Sequence, residues 1–360
     1  MTAGPVDPLR TAPMRAGPAA LELHHRVLGF DGLALNAVLD EPYTSRWLEA
    51  GVDAVNVTVY SEDGDWDSCL RAAEQAAARA HANPLTVQAT TSAEILAARA
   101  SGRLAVILGT QGAMALGRQI ERVRVLHDVG VRFFAPAYSA STLYCGGCGE
   151  RGDGGLTFLG RELIELVNEL GMLVDLSHVG HRSRLEIAEA ADHPVCTHSN
   201  AYAVYPNDRN TKDETASVIA AKGGVVGVCC LTKTVAAGTP TLDDMLDHVD
   251  HYASTLGEDH VGFGFDLVEA FREQYWEQHR DQHRLGRAAD DVAPWRWRVL
   301  RPDLQGSMDD VINDPQPYGI ETIANFPNVT QGLLDRGYSA GSVEALLGGN
   351  WFRAFSQACG

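Results

Sequence analysis

The sequence predicts one (β/α)8 barrel, and this prediction depends on three observations. The chain has 360 residues, of which 45% are hydrophobic, and a single α/β barrel of that length is ordinary. Short apolar or β-branched segments recur along the chain, with helical segments between them. Several of these segments are nearly continuous apolar runs, as expected of parallel strands that are buried on both faces. The eight predicted strands span residues 27–32, 51–60, 104–109, 131–138, 172–178, 194–200, 223–231 and 260–266.

Helical segments separate most of the predicted strands. Eight strands that alternate with helices favour a closed barrel. A doubly wound open sheet is the alternative, but no glycine-rich dinucleotide fingerprint follows the first predicted strand. The predicted helices span residues 66–81, 92–100, 118–129, 160–170, 183–191, 212–222 and 242–256, and closing helices are predicted over 339–355.

Two segments fall outside this alternation. Residues 1–22 are rich in Ala, Pro and Gly and lack the apolar core of a signal peptide, so they are predicted to be a disordered lead-in. Residues 23–360 are predicted to form a single domain. Residues 267–317 are crowded with charge and contain three tryptophans. Because they follow the eighth strand, we expect them to cover the barrel mouth as a lid, with a surface insertion or a subunit contact as alternatives.

The composition limits the partners of the chain. Its formal net charge of −18 repels nucleic acid and anionic membranes, so neither is expected to bind. No apolar segment approaches transmembrane length. The seven cysteines form no regular framework, which favours a reducing, cytoplasmic location. Cys145 and Cys148 have metal or redox spacing, but a flexible glycine-rich loop is the preferred interpretation, since no second pair completes a four-thiolate zinc site.

Polar side chains with acid–base chemistry follow several predicted strands. His178 and His198 each end a short apolar run, and catalytic residues of such barrels come from the carboxyl ends of the strands. An imidazole titrates near neutral pH, so both are candidate proton carriers. Asp266 follows the eighth strand, where it is a candidate general acid or base, and Tyr60 ends the second strand. Asp175 is interpreted as a structural hydrogen-bonding residue.

Several motifs occur in the order found in one family of hydrolases. The chain resembles the renal (membrane) dipeptidase family from about residue 31 to residue 355. The resemblance implies an amidohydrolase-type (β/α)8 barrel, a small-molecule substrate and a homodimer. The matching motifs are at residues 155–157, 167–172, 174–178, 198–200, 209–210 with Asp213, 262–266, Leu334 with 336–339, and 348–353.

The resemblance also implies a binuclear zinc site, from which this chain departs. Family members take ligands from a His and an Asp on strand 1, a bridging Glu at the end of strand 3, and two His after strands 5 and 6. This chain has Leu33, Leu35 and Gln111 at the first three positions, and retains His178 and His198. A further family His, after strand 4, corresponds to Tyr138.

The resemblance assigns substrate binding to other residues. Arg209 matches the family residue that binds the substrate carboxylate, a task suited to the bidentate guanidinium fork. Independently of the resemblance, Tyr60, Gln111 and Asn200 are expected to add contacts to the substrate. The alternative for Arg209 is an ion pair with Asp208 or Asp213.

Three functions remain open from the sequence. The first is an enzyme without the zinc pair and without any other cofactor, in which His178, His198, Asp266 and Tyr138 perform acid–base chemistry on a small amino-acid-derived or peptide-like substrate. The second is dipeptide hydrolysis with one weakly held zinc ion on His178 and His198, helped by Asp266. The third is a non-catalytic barrel that binds a small carboxylate or serves as a partner subunit, with the two histidines as relics of an ancestral metal site.

Overall fold

Eight parallel strands close into the barrel that the sequence predicts. The computed structural model describes residues 12–60, 64–270, 272–273 and 316–360. The strands follow the order β7-β6-β5-β4-β2-β1-β9-β8, and a parallel bridge between Cys196 and Val226 joins the two ends. The strand bounds are β1 Phe30–Leu35, β2 Ala54–Tyr60, β3 Thr86–Gln88, β4 Leu104–Gln111, β5 Val131–Ala135, β6 Leu173–Asp175, β7 Pro194–Val195, β8 Val226–Val228 and β9 Val261–Phe263.

The short strand β3 is not among the strands that the sequence predicts. It pairs in parallel with Leu104–Val106 at the start of β4, and β5 pairs with β4 only from Leu108 onward. Three residues between two helices give too short a periodic signal to separate a strand from a loop.

Helices surround the barrel, and several have well-formed N-terminal caps. Thr91 and Thr241 each form a capping box with an acidic residue three positions later, so that helix starts predicted from apolar periodicity are also fixed by local hydrogen bonds. The helix bounds are α1 Pro18–Arg26, α2 Tyr43–Glu49, α3 Trp66–Ala82, α4 Ser92–Ala100, α5 Arg122–Val129, α6 Phe158–Glu169, α7 His181–Ala190, α8 Asp213–Ala221, α9 Thr232–Val235, α10 Leu242–Leu256, α11 Phe326–Asp335, α12 Ala340–Glu344 and α13 Asn350–Cys359.

Trp351 of α13 fills the end of the barrel where the strands begin. Its ring lies 6.1 Å from the rings of Phe30 and Phe133, centroid to centroid, and its Nε1 donates to the carbonyl of Phe263 at 2.9 Å. Glycine is needed beside it, because a Cβ at Gly262 would lie 2.6 Å from Trp351 Nε1. The closing helices therefore plug one end of the barrel and leave the carboxyl ends of the strands for the functional site.

The predicted lead-in differs from the structure over residues 12–22. Residues 12–17 lie along α11, whose amide side chains bind their backbone. Asn328 Oδ1 accepts from Arg15 N at 2.6 Å, and Gln331 Oε1 accepts from Gly17 N at 2.9 Å. Helix α1 then begins at Pro18 and buries Leu23. Residues 12–17 are ordered by contacts with a segment 313 residues away, so the local composition could not predict their structure. Residues 1–11 lie outside the described residues.

The predicted lid lies mostly outside the described part of the chain. Of residues 267–317, the structure describes 267–270, 272–273 and 316–317, so Trp276, Trp295 and Trp297 are not included. Among the helices that are described, none combines the length and the apolarity needed to cross a membrane. The predicted cytoplasmic location stays a prediction.

Candidate active site

The structure brings four of the predicted site residues together at the carboxyl end of the barrel. His178 follows β6 and His198 follows β7, and their Nε2 atoms lie 2.9 Å apart. Gln111, at the end of β4, places its Nε2 at 3.3 Å from His198 Nε2. The ring of Tyr138 stacks on that of His178, with centroids 3.9 Å apart and an interplanar angle of 28°. Both imidazoles are buried.

A single carboxylate holds the two loops that carry the histidines. Asp175 Oδ1 accepts from Ser177 N at 3.1 Å, Ser177 Oγ at 2.6 Å and Thr197 N at 2.9 Å. Its Oδ2 accepts from the Thr197 hydroxyl at 2.6 Å. Ser177 Oγ in turn accepts from His198 N at 3.0 Å. Asp175 therefore fixes the relative positions of the two loops, in line with its interpretation as a structural residue.

Burial keeps both imidazoles neutral. It lowers the pKa of His178 and of His198 well below the ordinary value, and the positive charges of Arg209 and Arg184 lower both further. At neutral pH each ring therefore has one nitrogen that carries a hydrogen and one nitrogen whose lone pair can accept a hydrogen bond.

Two buried arginines lie beside the histidine loops. Arg209 donates from Nη1 to the carbonyl of Ser177, and its buried Nε has no hydrogen-bond partner among the described residues. Asp208 and Asp213, the sequence alternatives for pairing with Arg209, lie 3.4 Å from His181 Nε2 and 2.9 Å from His251 Nε2, respectively.

Arg184 of α7 connects the loop that carries His178 to the loop that carries Arg209. It donates to the carbonyls of Ser177, Val179, Arg209 and Asn210 and to Thr211 Oγ1, at 2.8–3.4 Å. Its guanidinium thus satisfies backbone carbonyls on both loops and holds them at a fixed separation.

Two aspartates occupy the opposite side of the mouth. Asp266 follows β9, has a φ of +54°, and donates its N–H to the carbonyl of Leu33 at 3.1 Å. Burial raises the pKa of Asp266 to about 6, although Arg209 lowers it in part. Burial raises the pKa of Asp31 to about 7. Asp31 Oδ1 accepts from the N–H groups of Leu33 and Phe265, and its buried Oδ2 makes no hydrogen bond of ordinary geometry within the described ranges, although the nearby Trp47 indole lowers the pKa in part.

The residues at the family's metal positions do not fit a binuclear zinc centre. Leu33 is buried, Leu35 is partly buried, and neither has a donor atom; Gln111 is neutral where a bridging carboxylate would offset two dications. Catalytic zinc sites usually have three protein ligands, at about 2.0–2.2 Å for His and carboxylate. In the part of the chain that is described, no three His, Cys, Asp or Glu side chains are grouped to hold a metal ion.

Other predicted residues lie elsewhere or are already engaged. Asn200 donates both amide hydrogens within the protein, to the carbonyl of Cys229 and to Thr234 Oγ1, each at 3.0 Å. Its role in substrate binding stays a prediction. The backbone of Tyr60 ends β2, and its side chain lies outside the described part. Cys145 and Cys148 are buried as reduced thiols, and burial raises the pKa of Cys145 to about 12, which disfavours a reactive redox pair.

Sequence reasoning missed Thr197 and Arg184. Thr197 bonds to both Asp175 and His198, and its position beside His198 was the available signal. Arg184 precedes the buried residues Ile187 and Ala188 by three and four positions, so it lies on the inward face of α7. A charged residue in that apolar stripe indicates a buried cation.

The comparisons with known proteins agree with the geometry of the fold. The family model of the membrane dipeptidases matches residues 42–280. The chain belongs to the membrane dipeptidase family. The resemblance seen in the sequence motifs is thereby confirmed, and so is the barrel that it implied.

Curated relatives of this membrane dipeptidase family member include fungal proteins. It is 26% identical over 262 residues to the dipeptidase tcpJ of Claviceps purpurea, covering 71% of this chain and 52% of that protein. It is 32% identical over 182 residues to the dipeptidase verJ of Clonostachys rogersoniana, covering 50% of this chain and 47% of that protein. The chain thus spans about half the length of the curated relatives it matches.

A solved structure gives a fuller match. An amidohydrolase from Pseudomonas aeruginosa superposes with a TM-score of 0.80 and 28% sequence identity, covering 94% of this chain and 98% of that one. The likeness therefore extends over nearly the whole length of both chains.

Proposed function

We propose that this barrel is an enzyme that acts on a small amino-acid-derived or peptide-like substrate by acid–base chemistry of its side chains, without a binuclear zinc centre. The observation that supports this proposal most is the direct contact between His178 Nε2 and His198 Nε2 at 2.9 Å. The family's other ligand positions hold Leu33, Leu35 and Gln111, so these positions supply no further His or carboxylate ligand beside the two nitrogens. A hydrogen bond between them uses one Nε2 lone pair and one Nε2 hydrogen, whereas a metal ion shared by these two nitrogens would need both lone pairs and no Nε2 hydrogen.

Arg209 is the proposed site for a carboxylate of the substrate. Its guanidinium is buried, and its Nε donor has no partner among the described residues. An unpaired buried donor is costly, and a carboxylate would satisfy it with a charge-assisted hydrogen bond. This argument favours substrates with a free carboxylate, such as a dipeptide or an N-acyl amino acid.

The acid–base groups face this position from two sides. His178 and His198 are neutral and supply a lone pair near neutral pH. Asp266, whose pKa is raised to about 6, changes protonation close to neutral pH and is the proposed general acid or base. Tyr138 covers one face of His178, so it orients that ring.

Metal analysis of the purified protein tests the zinc part of the proposal. We expect less than one zinc ion per two chains after incubation with zinc and dialysis. The matched control is the triple variant Leu33→His, Leu35→Asp and Gln111→Glu, which restores the family ligands and is expected to retain zinc. Two zinc ions in the unmodified protein would overturn the proposal, and a single tightly held ion would favour the mononuclear dipeptidase.

Ligand binding tests the carboxylate part. Thermal stabilisation by dipeptides should exceed that by the matching dipeptide amides, and Arg209→Gln should abolish the difference. Turnover of a dipeptide that survives chelator treatment would support side-chain catalysis. Turnover that disappears with chelator and returns with zinc would refute it, and binding without any turnover would favour a non-catalytic barrel.

A further inference from the structure

We propose that Asp175 and Thr197 set the positions of the hydrogens on both histidines, so that Nδ1 of His178 is the nitrogen that presents a free lone pair to a ligand. Both are positioning residues, because they act through His198. The role given to this lone pair rests on the proposed acid–base function, whereas the hydrogen positions themselves do not.

The direction of the hydrogen bonds begins at Asp175. Its carboxylate accepts four hydrogen bonds, one of them from the Thr197 hydroxyl to Oδ2 at 2.6 Å. A hydroxyl has one hydrogen, so Thr197 Oγ1 can only accept in its 2.7 Å contact with His198 Nδ1. Ser177 Oγ, 3.2 Å from Thr197 Oγ1, also directs its hydrogen to Asp175. His198 therefore carries its hydrogen on Nδ1.

The same reasoning extends to His178. With its hydrogen on Nδ1, neutral His198 has a lone pair on Nε2. Two groups lie within reach of that lone pair, Gln111 Nε2 at 3.3 Å and His178 Nε2 at 2.9 Å. Nε2 of His178, the closer of the two, cannot present a second lone pair at 2.9 Å and must donate, so His178 carries its hydrogen on Nε2. Nδ1 of His178 then holds a lone pair, and this buried atom has no partner among the described residues.

The opposite arrangement leaves groups unsatisfied. If His198 carried its hydrogen on Nε2, Thr197 would have to donate to Nδ1, and Asp175 Oδ2 would lose the donor that satisfies it. His178 would then carry a buried Nδ1–H for which the described residues offer no acceptor. Both consequences disfavour the reversed hydrogen positions.

The free lone pair restricts the ligand. Arg209 donates to the carbonyl of Ser177, the neighbour of His178, so the guanidinium and the imidazole belong to one site. A ligand that satisfies both has a carboxylate for Arg209 and an N–H or O–H group for His178 Nδ1.

Nuclear magnetic resonance of ¹⁵N-labelled histidines in the full chain tests the hydrogen positions directly. Long-range ¹H–¹⁵N correlations should show His198 with hydrogen on Nδ1 and His178 with hydrogen on Nε2. Thr197→Val removes the acceptor of the His198 Nδ1–H and should shift both histidines toward a mixture of the two patterns, whereas Thr197→Ser keeps the hydroxyl and should preserve the original pattern. Asp175→Asn should reverse both, because its amide nitrogen at the Oδ2 position would donate to Thr197 and turn the Thr197 hydroxyl hydrogen toward His198 Nδ1.

Three results would overturn the inference. They are reversed hydrogens in the unmodified protein, an unchanged pattern in a folded Thr197→Val variant, and hydrogen on Nδ1 of both rings, as ligation of a metal through Nε2 would give. If Asp175→Asn fails to fold, the pair of Thr197 variants decides. The proposed function fails separately: loss of carboxylate binding or retention of two zinc ions contradicts it, whichever hydrogen pattern Thr197→Ser and Thr197→Val produce.

Discussion

The two ends of this barrel differ in whether their buried polar groups have hydrogen-bond partners. At the end where the strands begin, Trp351 fits against Gly262, and its indole N–H finds the carbonyl of Phe263. At the carboxyl end, Asp31 Oδ2, His178 Nδ1 and Arg209 Nε are buried without partners in the described part of the chain. The first end is apolar and satisfied, and the second is polar and incomplete.

This difference separates stability from function. Apolar packing around Trp351 adds stability without limiting chemistry. Buried polar atoms without partners reduce the stability of the ligand-free protein, and a cluster of them at one end of a barrel is expected where a ligand, an ion or water completes their hydrogen bonds. Substitutions at the plug should therefore lower stability, whereas substitutions at the mouth should change ligand binding and pH dependence and in some cases raise stability.

The largest effect is expected from Trp351→Ala. It removes the largest fully buried side chain of the plug and leaves the Phe263 carbonyl without its donor. The free energy of unfolding in urea should fall by roughly 3–5 kcal/mol. The control is Phe352→Ala, one position along α13 and only partly buried, which should cost clearly less. Equal losses of stability for the two variants would contradict the claim that Trp351 fills this end of the barrel.

At the mouth, Asp31→Asn should change the pH dependence of stability. The pKa of Asp31 rises from 3.8 to about 7 on folding, so the folded state binds the proton more tightly than the unfolded state between these values. The contribution of Asp31 is therefore present at pH 4 and is lost as the pH rises toward 7. About three pKa units correspond to about 4 kcal/mol.

The measurement is the free energy of unfolding from pH 4 to pH 8 for both proteins. Relative to the unmodified protein, the variant with its neutral amide should become progressively more stable as the pH rises, because only the carboxyl of Asp31 has to ionise in a buried position. A constant difference across that range would show that Asp31 is not held protonated by burial.

Arg209→Met should separate ligand binding from stability. Removing a buried guanidinium with an unsatisfied Nε should leave the free energy of unfolding of the ligand-free protein nearly unchanged or raise it. Affinity for a carboxylate ligand should fall by about 2 kcal/mol or more. Isothermal titration with a dipeptide and its amide, with Arg209→Lys as the charge-retaining control, measures the second effect. Loss of stability without loss of ligand affinity would show that Arg209, like Trp351, contributes to stability and not to ligand binding.

The sequence predicts the strands and the two histidines for physical reasons that do not apply to contacts between distant segments. Continuous apolar runs mark strands buried on both faces, and His178 and His198 stand at the ends of such runs. The order of residues 12–17 and the carbonyl groups that Arg184 binds depend on contacts with distant segments. Local composition holds little information about such contacts. The link from Asp175 through Thr197 likewise appears only when β6 and β7 lie side by side.

The smallest effect is expected at Asp266, where the backbone has a φ of +54°. Asp and Asn tolerate this left-handed region better than other residues with a Cβ. Asp266→Asn and Asp266→Ala both remove the charge, so comparing them isolates the backbone cost, and the Ala variant should be less stable by roughly 1 kcal/mol. The Asn variant should keep carboxylate binding and lose turnover, if Asp266 is an acid–base group. Equal stability of the two variants would remove the backbone argument, and full turnover in Asp266→Asn would leave Asp266 with a structural role like that of the residues at the other end of the barrel.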